Sequence, residues 1–465
     1  YEILPGSEQL QMSMKNRALS MTDLKMMNEH EKQSAEHDRP KNDDRVRKKM
    51  RKQMREKSRV YIKYGLFAVL YGLLGAYSYR LYLRQAIQYP GPLGDYMSDL
   101  PAHIAEGKAH TAYSLMEMTL GFLTGTLRLN EKSVALFLAL ITTGTVFLMW
   151  RLLCRLYSGR GKTALHLLAF CCMFVMPLYL PAVNPCPYLG MQTGTIWHNS
   201  TYIGMKFAGT IVLLLYFRYL EIYRSGLSKR QWLLFTLALI FVNMMKPNFI
   251  LCFAPAMALT LLSDCIADRG RTFGKQVLFG IPVLISLGVV IYETMVLFTG
   301  ERSGSSIVFA IAPGLLAWNR HPVAALLQSA VFPLAIFLGN LPRLKKDRSY
   351  RFAWLIWLTG LLEYLCLSED GVRKMHGNLS WGYSFCQFLI FSVCAGLLVK
   401  ELLTWWTKCR VCGGSAYQQF CRATARERGR LLYLLVCSTL FLWHLYCGVD
   451  FFVMLMQGGS YLVGA

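Results

Sequence analysis

Charged residues are scarce in this chain of 465 residues, and acidic ones are the scarcest. Lys, Arg, Asp and Glu together make up 17% of the sequence, and hydrophobic residues make up 54%. An average soluble protein carries about 25% charged residues. The apolar residues fall in blocks of roughly twenty, the length at which a helix crosses the hydrocarbon core of a bilayer. These proportions exclude a soluble globular protein and predict an all-α polytopic membrane protein in a lipid bilayer.

Several motifs that would define a soluble enzyme are also missing. The sequence has no Walker A, GxGxxG or HExxH pattern and no internal repeat of the kind many transporters show. Cys409 and Cys412 have zinc-like spacing, but a second pair at ligand spacing is lacking. The net charge of +23 comes without the aromatic and basic pattern of nucleic-acid binding, so no nucleic-acid partner is expected.

Hydropathy predicts about 11 transmembrane helices. They are Tyr61–Leu83, Lys132–Leu156, Thr163–Val183, Tyr202–Ile222, Gln231–Met245, Phe249–Ile266, Val277–Phe298, Val323–Leu341, Phe352–Leu367, Phe385–Leu403 and Leu431–Gly448. The short loops on one side, such as 343–351 and 408–430, are rich in Lys and Arg, which predicts a cytoplasmic N-terminus. Residues 1–58 then form a polar and basic cytoplasmic tail, partly disordered and continuous with the first span, and residues 59–465 form the transmembrane domain.

The first outer loop, residues 84–131, carries the strongest candidate for chemistry. Asp99, His103, Glu106 and His110 recur at intervals of four, three and four, which predicts that they share one face of a helix starting near Pro101. The stripe is either a solvated helix face or a catalytic carboxylate with neighbouring imidazoles, placed to accept a proton or to hold a divalent cation. We favour the catalytic interpretation, with Asp99 as the first candidate.

Asp95 is the alternative carboxylate of the same loop. The stretch that follows the stripe, 113–126, mixes apolar residues with Ser, Thr and Glu117, which is typical of an interfacial helix lying on the membrane. The first outer loop is therefore predicted to contain interfacial helices.

Two further outer segments add polar groups. In 184–201, Trp197 is expected at the headgroup level, while His198 and Asn199 begin a span and fit the wall of a polar-ligand pocket. Lys246 precedes Pro247 and Asn248 between two apolar stretches, and a lysine at membrane depth needs a partner or an aqueous cavity. Its ammonium group suits a lipid-linked phosphate, although a lysine that snorkels to the surface is the alternative.

The later outer loops carry a mixture of basic, imidazole, amide and aromatic side chains. Such groups bind phosphate and stack on sugar rings. The candidates are Arg320, Arg373, Lys374, His376, Asn378 and Trp381.

Three short segments resemble motifs of the GT-C superfamily of integral-membrane glycosyltransferases. Ser98-Asp99-Leu-Pro-Ala-His103 resembles the acidic motif of the first outer loop. Lys246-Pro247-Asn248-Phe resembles a Lys-Pro segment of bacterial members, and His376-Gly-Asn378-Leu-Ser-Trp381-Gly resembles a late outer-loop motif. The chain departs from the commonest pattern in lacking an Asp-x-Asp or Asp-Glu pair, which leaves metal dependence on Mg²⁺ or Mn²⁺ open.

The resemblance implies a GT-C-like fold in a bacterial cytoplasmic membrane, with the active site on the outer face. It implies an inverting glycosyltransferase that moves a sugar from a polyprenyl-phosphate donor to a glycan, lipid or protein acceptor. Asp99 would be the base, tuned by His103 or Glu106. Lys246, with one or more of the basic residues of the later loops, would hold the donor phosphate.

Two other functions stay open. A flippase or transporter for lipid-linked saccharides would use the same basic groups but needs polar residues at both ends of its pathway. A polysaccharide polymerase or ligase would rely more on the late loop, residues 369–383.

Overall fold

The computed structural model describes residues 8–87, 99–157, 159, 161–184, 187, 192–297, 306–370, 377–411 and 424–459. The chain divides into two compact units, Tyr1–Leu73 and Leu74–Ala465. The described residues are almost wholly helical, and eight of their helices are long and apolar enough to cross a membrane. The chain is therefore an all-α polytopic membrane protein, as the composition predicts.

The elements follow one another in a simple order. The helices are α1 (Glu8–Ile87), α2 (Leu100–Lys108), α3 (Leu115–Gly121), α4 (Glu131–Leu156), α5 (Lys162–Cys171), α6 (Ser200–Ile222), α7 (Lys229–Met245), α8 (Asn248–Asp268), α9 (Phe273–Leu297), α10 (Pro313–Trp318), α11 (Pro322–Gly339), α12 (Arg343–Lys346), α13 (Arg348–Cys366), α14 (Ser380–Val411) and α15 (Ala425–Gln457). Strands β1 (Ile307–Phe309) and β2 (Leu367–Glu369) form a small antiparallel ribbon.

The first unit consists of the greater part of α1. The described chain is helical from Glu8 onward, and the same helix continues through the first predicted span. Its sequence is rich in Met, Lys, Arg, Glu and Gln, straight-chain residues that lose little rotamer freedom in a helix.

Eight of the predicted spans lie in the membrane-length helices, and three do not. The segments predicted at 231–245 and 352–367 are helical, in α7 and α13. However, α7 has only 17 residues, and α13 includes three charged residues, Arg348, Arg351 and Glu363.

The predicted span at 163–183 is wrong as a continuous helix, because α5 ends at Cys171. The buried chain beyond it is irregular, and side chains of other helices satisfy its backbone. Gln328 of α11 donates to the Leu178 carbonyl at 2.9 Å, and His444 of α15 contacts the Met176 carbonyl at 2.6 Å. Irregular backbone at membrane depth needs partners of this kind.

Helices α2 and α3 cross where each has a glycine. A Cβ on Gly107 would lie 2.2 Å from the Glu117 carbonyl oxygen, and one on Gly121 would lie 2.2 Å from the Gly107 carbonyl carbon. The two backbones can touch only because neither residue has a side chain. After α3 the chain continues in π-helical geometry over Phe122–Thr126.

The core of the second unit is built around α6, α8, α13 and α14, and α14 is buried over almost its whole apolar length. Helices α6 and α8 begin close together near Ser200 and Asn248. They end together where Arg348 of α13 donates to the Leu220 carbonyl of α6 and to Asp264 of α8. The starts of α6 and α8 define the polar end of the bundle, and their last turns define the basic end.

Candidate functional site

Asp99 stands directly before α2, but its carboxylate does not cap that helix. Its backbone N–H donates to the His198 carbonyl at 3.1 Å. Its Oδ2 accepts a hydrogen bond of 2.5 Å from the side-chain amide of Asn199. The carboxylate is thus held by the start of α6, a hundred residues further along the chain.

A continuous series of hydrogen bonds leads from Asp99 to Lys246. Lys246 Nζ donates to Thr201 Oγ1 at 2.8 Å, and Thr201 Oγ1 donates to Asn199 Oδ1 at 2.7 Å. Asn199 then donates to Asp99. Every donor points from the ammonium group toward the carboxylate, so each bond polarises the next.

Local sequence explains why Asn199 and Lys246 can take these positions. Asn199 is the N-cap of α6, and its Oδ1 also accepts from Tyr202 N at 2.8 Å, as capping residues do. Pro247 ends α7 because the residue before a proline is pushed out of helical geometry. Lys246 is accordingly extended, with φ −162° and ψ 117°, and it is buried.

The opposite wall of the cluster comes from the start of α14 and from α8. Lys246 Nζ lies 4.8 Å from the centre of the Trp381 ring, a cation–π contact. The His198 ring lies 5.8 Å from the same indole. Asn248 Nδ2 donates to the Asn378 carbonyl at 2.8 Å, so the predicted pocket residues are brought together.

His103 and Glu117 form the inner layer of the site. His103 Nδ1 lies 2.7 Å from Ser200 Oγ, and His103 Nε2 lies 3.6 Å from Glu117 Oε1. Glu117 Oε2 accepts the backbone N–H groups of Tyr113 and Ser114 at 3.0 and 3.3 Å in a capping box at the start of α3. These seven residues, Asp99, His103, Glu117, Asn199, Ser200, Thr201 and Lys246, are called the polar site below.

Burial controls the charges of this inner layer. It lowers the pKa of His103 to about 3, and the positive charge of Lys246 acts in the same direction. The same two causes lower the pKa of His198 to about 3. Burial and the nearby charge of Glu106 raise the pKa of Glu117 to about 7. Both imidazoles are therefore neutral at pH 7, whereas the raised pKa of Glu117 lets its carboxyl group keep a proton closer to neutral pH than an ordinary glutamate.

Other predicted residues lie elsewhere or are not described. Glu106 is half-buried on α2, and Arg320 is exposed between α10 and α11. Asp95, Arg373, Lys374 and His376 lie outside the described residues.

One expectation about an individual residue is wrong. His110 does not share the helix face of Asp99, because α2 ends at Lys108 and His110 is exposed with φ 56°. Trp197, expected at the headgroup level, is 2% exposed, and its ring packs 4.9 Å from that of Phe452 of α15.

Sequence reasoning named His103 but did not predict its contact with Glu117. Ser114-x-x-Glu117 matches the capping-box pattern, which identifies the start of α3 but not the contact with His103. Lys206 was also missed. It is buried inside α6, donates to the Gly194 carbonyl at 3.4 Å, and lies 4.6 Å from the centre of the Phe388 ring.

The described residues do not provide a metal site. No three His, Cys, Asp or Glu side chains among them converge as ligands. Asp99, the carboxylate nearest to such a role, already accepts the amide of Asn199.

The polar site combines a carboxylate that can accept a proton with a buried ammonium group that can stabilise an anion, next to an aromatic ring. Such a set suits a reaction in which a hydroxyl loses its proton and a phosphate departs. No protein-family model matches this chain, and no curated protein is significantly similar to it.

Proposed function

We propose that this protein is a membrane glycosyltransferase that moves a sugar from a polyprenyl-phosphate donor to an acceptor hydroxyl with inversion at the anomeric carbon. The observation that carries the proposal is the series of hydrogen bonds from Lys246 to Asp99. It places an anion-stabilising group and a proton-accepting group in one cluster at the polar end. The GT-C-like motifs at Asp99 and Lys246 support the same assignment.

In the proposed reaction, Asp99 takes the proton of the acceptor hydroxyl as its oxygen attacks the anomeric carbon. The bond from that carbon to the phosphate oxygen breaks, and its electron pair leaves with the polyprenyl phosphate. Lys246 stabilises the leaving phosphate, where negative charge grows in the transition state. Trp381 provides a flat apolar surface on which a sugar ring can stack.

The bilayer position of the site completes the proposal. The Lys/Arg bias of the loops supports a cytoplasmic basic end, and the GT-C resemblance supports a bacterial cytoplasmic membrane with the polar end on its outer face. A donor with a polyprenyl tail would reach the polar site from the outer leaflet. The acceptor is a glycan, a lipid or a protein on that side.

The interior of the bundle argues for transfer rather than transport. Between the polar and basic ends, α6, α8 and α13 meet through aromatic rings. The Tyr216 ring lies 4.2 Å from that of Phe352 and 5.1 Å from that of Phe253. A saccharide path along these helices would have to displace this packed layer.

The experiment that tests the proposal measures transfer by the purified protein in nanodiscs. Radiolabelled undecaprenyl-phosphate hexoses serve as donors, and a membrane extract serves as the acceptor source. We expect Asp99→Asn and Lys246→Met each to lower the rate about 100-fold or more.

The matched controls are Asp450→Asn and Lys132→Met. Both side chains are exposed on membrane-length helices, so these variants should keep the wild-type rate. Normal transfer by Asp99→Asn would remove Asp99 from the role of base. In sealed proteoliposomes, movement of the labelled donor across the bilayer without formation of a new glycosidic bond would favour the flippase instead.

A further inference from the structure

Glu117, His103 and Ser200 form a buried line of three polar groups, with a hydrogen-bond distance between the last two and an ion-pair distance between the first two. All three are more than nine-tenths buried. The line runs from Ser200 Oγ to His103 Nδ1 at 2.7 Å and from His103 Nε2 to Glu117 Oε1 at 3.6 Å. Glu117 Oε1 accepts no hydrogen bond from the described residues, so the imidazole is the group it faces.

A neutral imidazole permits two arrangements of this line, because one ring nitrogen donates while the other accepts. If Glu117 is ionised, His103 carries its proton on Nε2, facing the carboxylate, and Ser200 donates its hydroxyl proton to Nδ1. If Glu117 is protonated, it donates to Nε2. His103 then carries its proton on Nδ1 and donates to Ser200. In the second arrangement the hydroxyl proton of Ser200 is free to bind another acceptor.

We propose that Glu117, His103 and Ser200 act as a proton relay in which protonation of Glu117 switches the tautomer of His103 and turns the Ser200 hydroxyl into a hydrogen-bond donor for the polar site. Glu117 is a positioning residue, since it acts through His103. The relay rests on the proposed function in one respect. Ser200 adjoins Thr201, the residue that binds Lys246, so its hydroxyl would donate to the phosphate that Lys246 stabilises.

The surroundings of the relay hold its two states close in free energy. The groups that act on Glu117 or His103 from the neighbouring elements are Glu106 on α2, Tyr113 before α3, Lys246 between α7 and α8, and His198 before α6, while Asp99 acts on Tyr113. Burial and Glu106 favour the protonated carboxyl. Lys246 and the two backbone N–H groups favour the carboxylate. The pKa of Glu117 lies at about 7 as a result, and the low pKa of His103 keeps the imidazole neutral in both states.

The test is nitrogen-15 NMR of histidine side chains in the full-length protein in detergent, which distinguishes the two tautomers. The chain has 9 histidines, and His103→Gln identifies the signal of His103. Between about pH 5.5 and 8.5 we expect His103 to remain neutral. It should change from the Nδ1–H to the Nε2–H tautomer with a midpoint near the pKa of Glu117, about 7.

Three variants separate the relay from other causes. Glu117→Gln should abolish the pH dependence of the tautomer. Glu106→Gln should keep the change but move its midpoint to lower pH, because a negative charge near Glu117 is removed. Glu131→Gln, an exposed carboxyl at the start of α4, should leave the midpoint where it is. If Glu117→Gln fails to fold, the wild-type and Glu106→Gln titrations decide the question.

A single tautomer across the whole range would overturn the relay, and so would a His103 that becomes doubly protonated near pH 6. These signals require no substrate. If the tautomer changes but the protein does not transfer sugar, the relay proposal stands and the proposed glycosyltransferase function is wrong. In an active protein, transfer by the wild type should fall at least about tenfold above pH 7 as the Ser200 donor is lost. Glu117→Gln should remove that fall, an effect that simple loss of packing would not produce.

Discussion

The polar and basic ends of the bundle each bury a carboxyl group, but they treat it in opposite ways. At the basic end, Asp264 is bound by Arg224 at 3.1 Å, by Arg348, and by the Tyr223 hydroxyl at 2.7 Å. At the polar site, Glu117 receives two backbone N–H groups on one oxygen and faces a neutral imidazole with the other.

This difference distinguishes a carboxyl group that holds helices together from one whose protonation can change. Two guanidinium groups and a hydroxyl bind Asp264 and tie α6, α8 and α13 together at their ends. Glu117 has no such arginine pair among the described residues, so its charge depends on pH. A buried carboxyl with a shifted pKa next to other polar groups is typical of a functional site. The comparison predicts that the two ends will respond differently to mutation.

The largest effect is expected at the basic end. Asp264→Asn leaves Arg224 and Arg348 without their anion, and removing one partner of a buried ion pair costs about 3–5 kcal/mol. Part of the Arg224 side chain is exposed to solvent, which favours the lower value. Thermal unfolding in detergent measures the loss, and the transfer rate per folded molecule should be unchanged.

The control is Glu221→Gln, which breaks the exposed pair with Arg155 and should change stability by less than about 0.5 kcal/mol. Equal losses in the two variants would contradict the structural role of Asp264.

The next effect is a pH dependence of stability that originates at the polar site. Glu117 has a pKa of about 7 in the folded protein against an ordinary value of 4.5, so the folded state keeps its proton longer than the unfolded chain. The contribution of Glu117 to the free energy of unfolding therefore falls as pH rises from 4.5 to 7, by on the order of 3 kcal/mol. Above pH 7 this contribution stays constant. His103 and His198, with lowered pKa values, act in the opposite sense below pH 6.5.

Comparing wild type with Glu117→Gln isolates the carboxyl, because both proteins share the two histidines. The free energy of unfolding of the wild type should decline relative to the variant across that pH window. If the free energies of unfolding of the two proteins change with pH in parallel, Glu117 has an ordinary pKa.

A smaller effect is expected where α2 crosses α3. Gly107→Ala puts a methyl group against the backbone of Glu117 and Gly121, and overpacking of this kind costs about 1–3 kcal/mol. The variant should also lower transfer, because it moves His103 away from Glu117. Gly125→Ala is the matched control, since its Cβ would only touch the Lys108 side chain at 3.7 Å. A Gly107→Ala protein with wild-type stability and activity would contradict the crossing.

The smallest stability change is expected at Asn199, which caps α6 and also holds Asp99. Asn199→Ala should lose the cap, at about 1 kcal/mol, whereas Asn199→Ser should retain it. Both variants lose the amide that binds Asp99 and should transfer sugar more slowly. Measuring stability and rate on the two proteins separates the cap from the chemistry, and full activity in Asn199→Ser would show that Asp99 does not need its amide partner.

Much of the fold can be predicted from local properties of the chain. Hydropathy located eight membrane-length helices because each window reports its own cost of transfer into lipid. Pro101 and Pro247 marked the start of α2 and the end of α7, since proline acts on its own neighbourhood. The prediction of a continuous helical span at 163–183 was wrong because hydropathy, too, reports only local properties. Its window is apolar, but Gln328 and His444, which satisfy its irregular backbone, lie more than a hundred residues away.

The sequence by itself determined the class of protein, the basic segments, and the two candidate groups Asp99 and Lys246, because charge and hydropathy are properties of short segments. Only the tertiary structure decided that Asn199 and Thr201 join those groups and that Glu117 lies against His103. Both results depend on helices from distant parts of the chain meeting at one end of the bundle. The same meeting sets the burial of Glu117, and burial controls its charge.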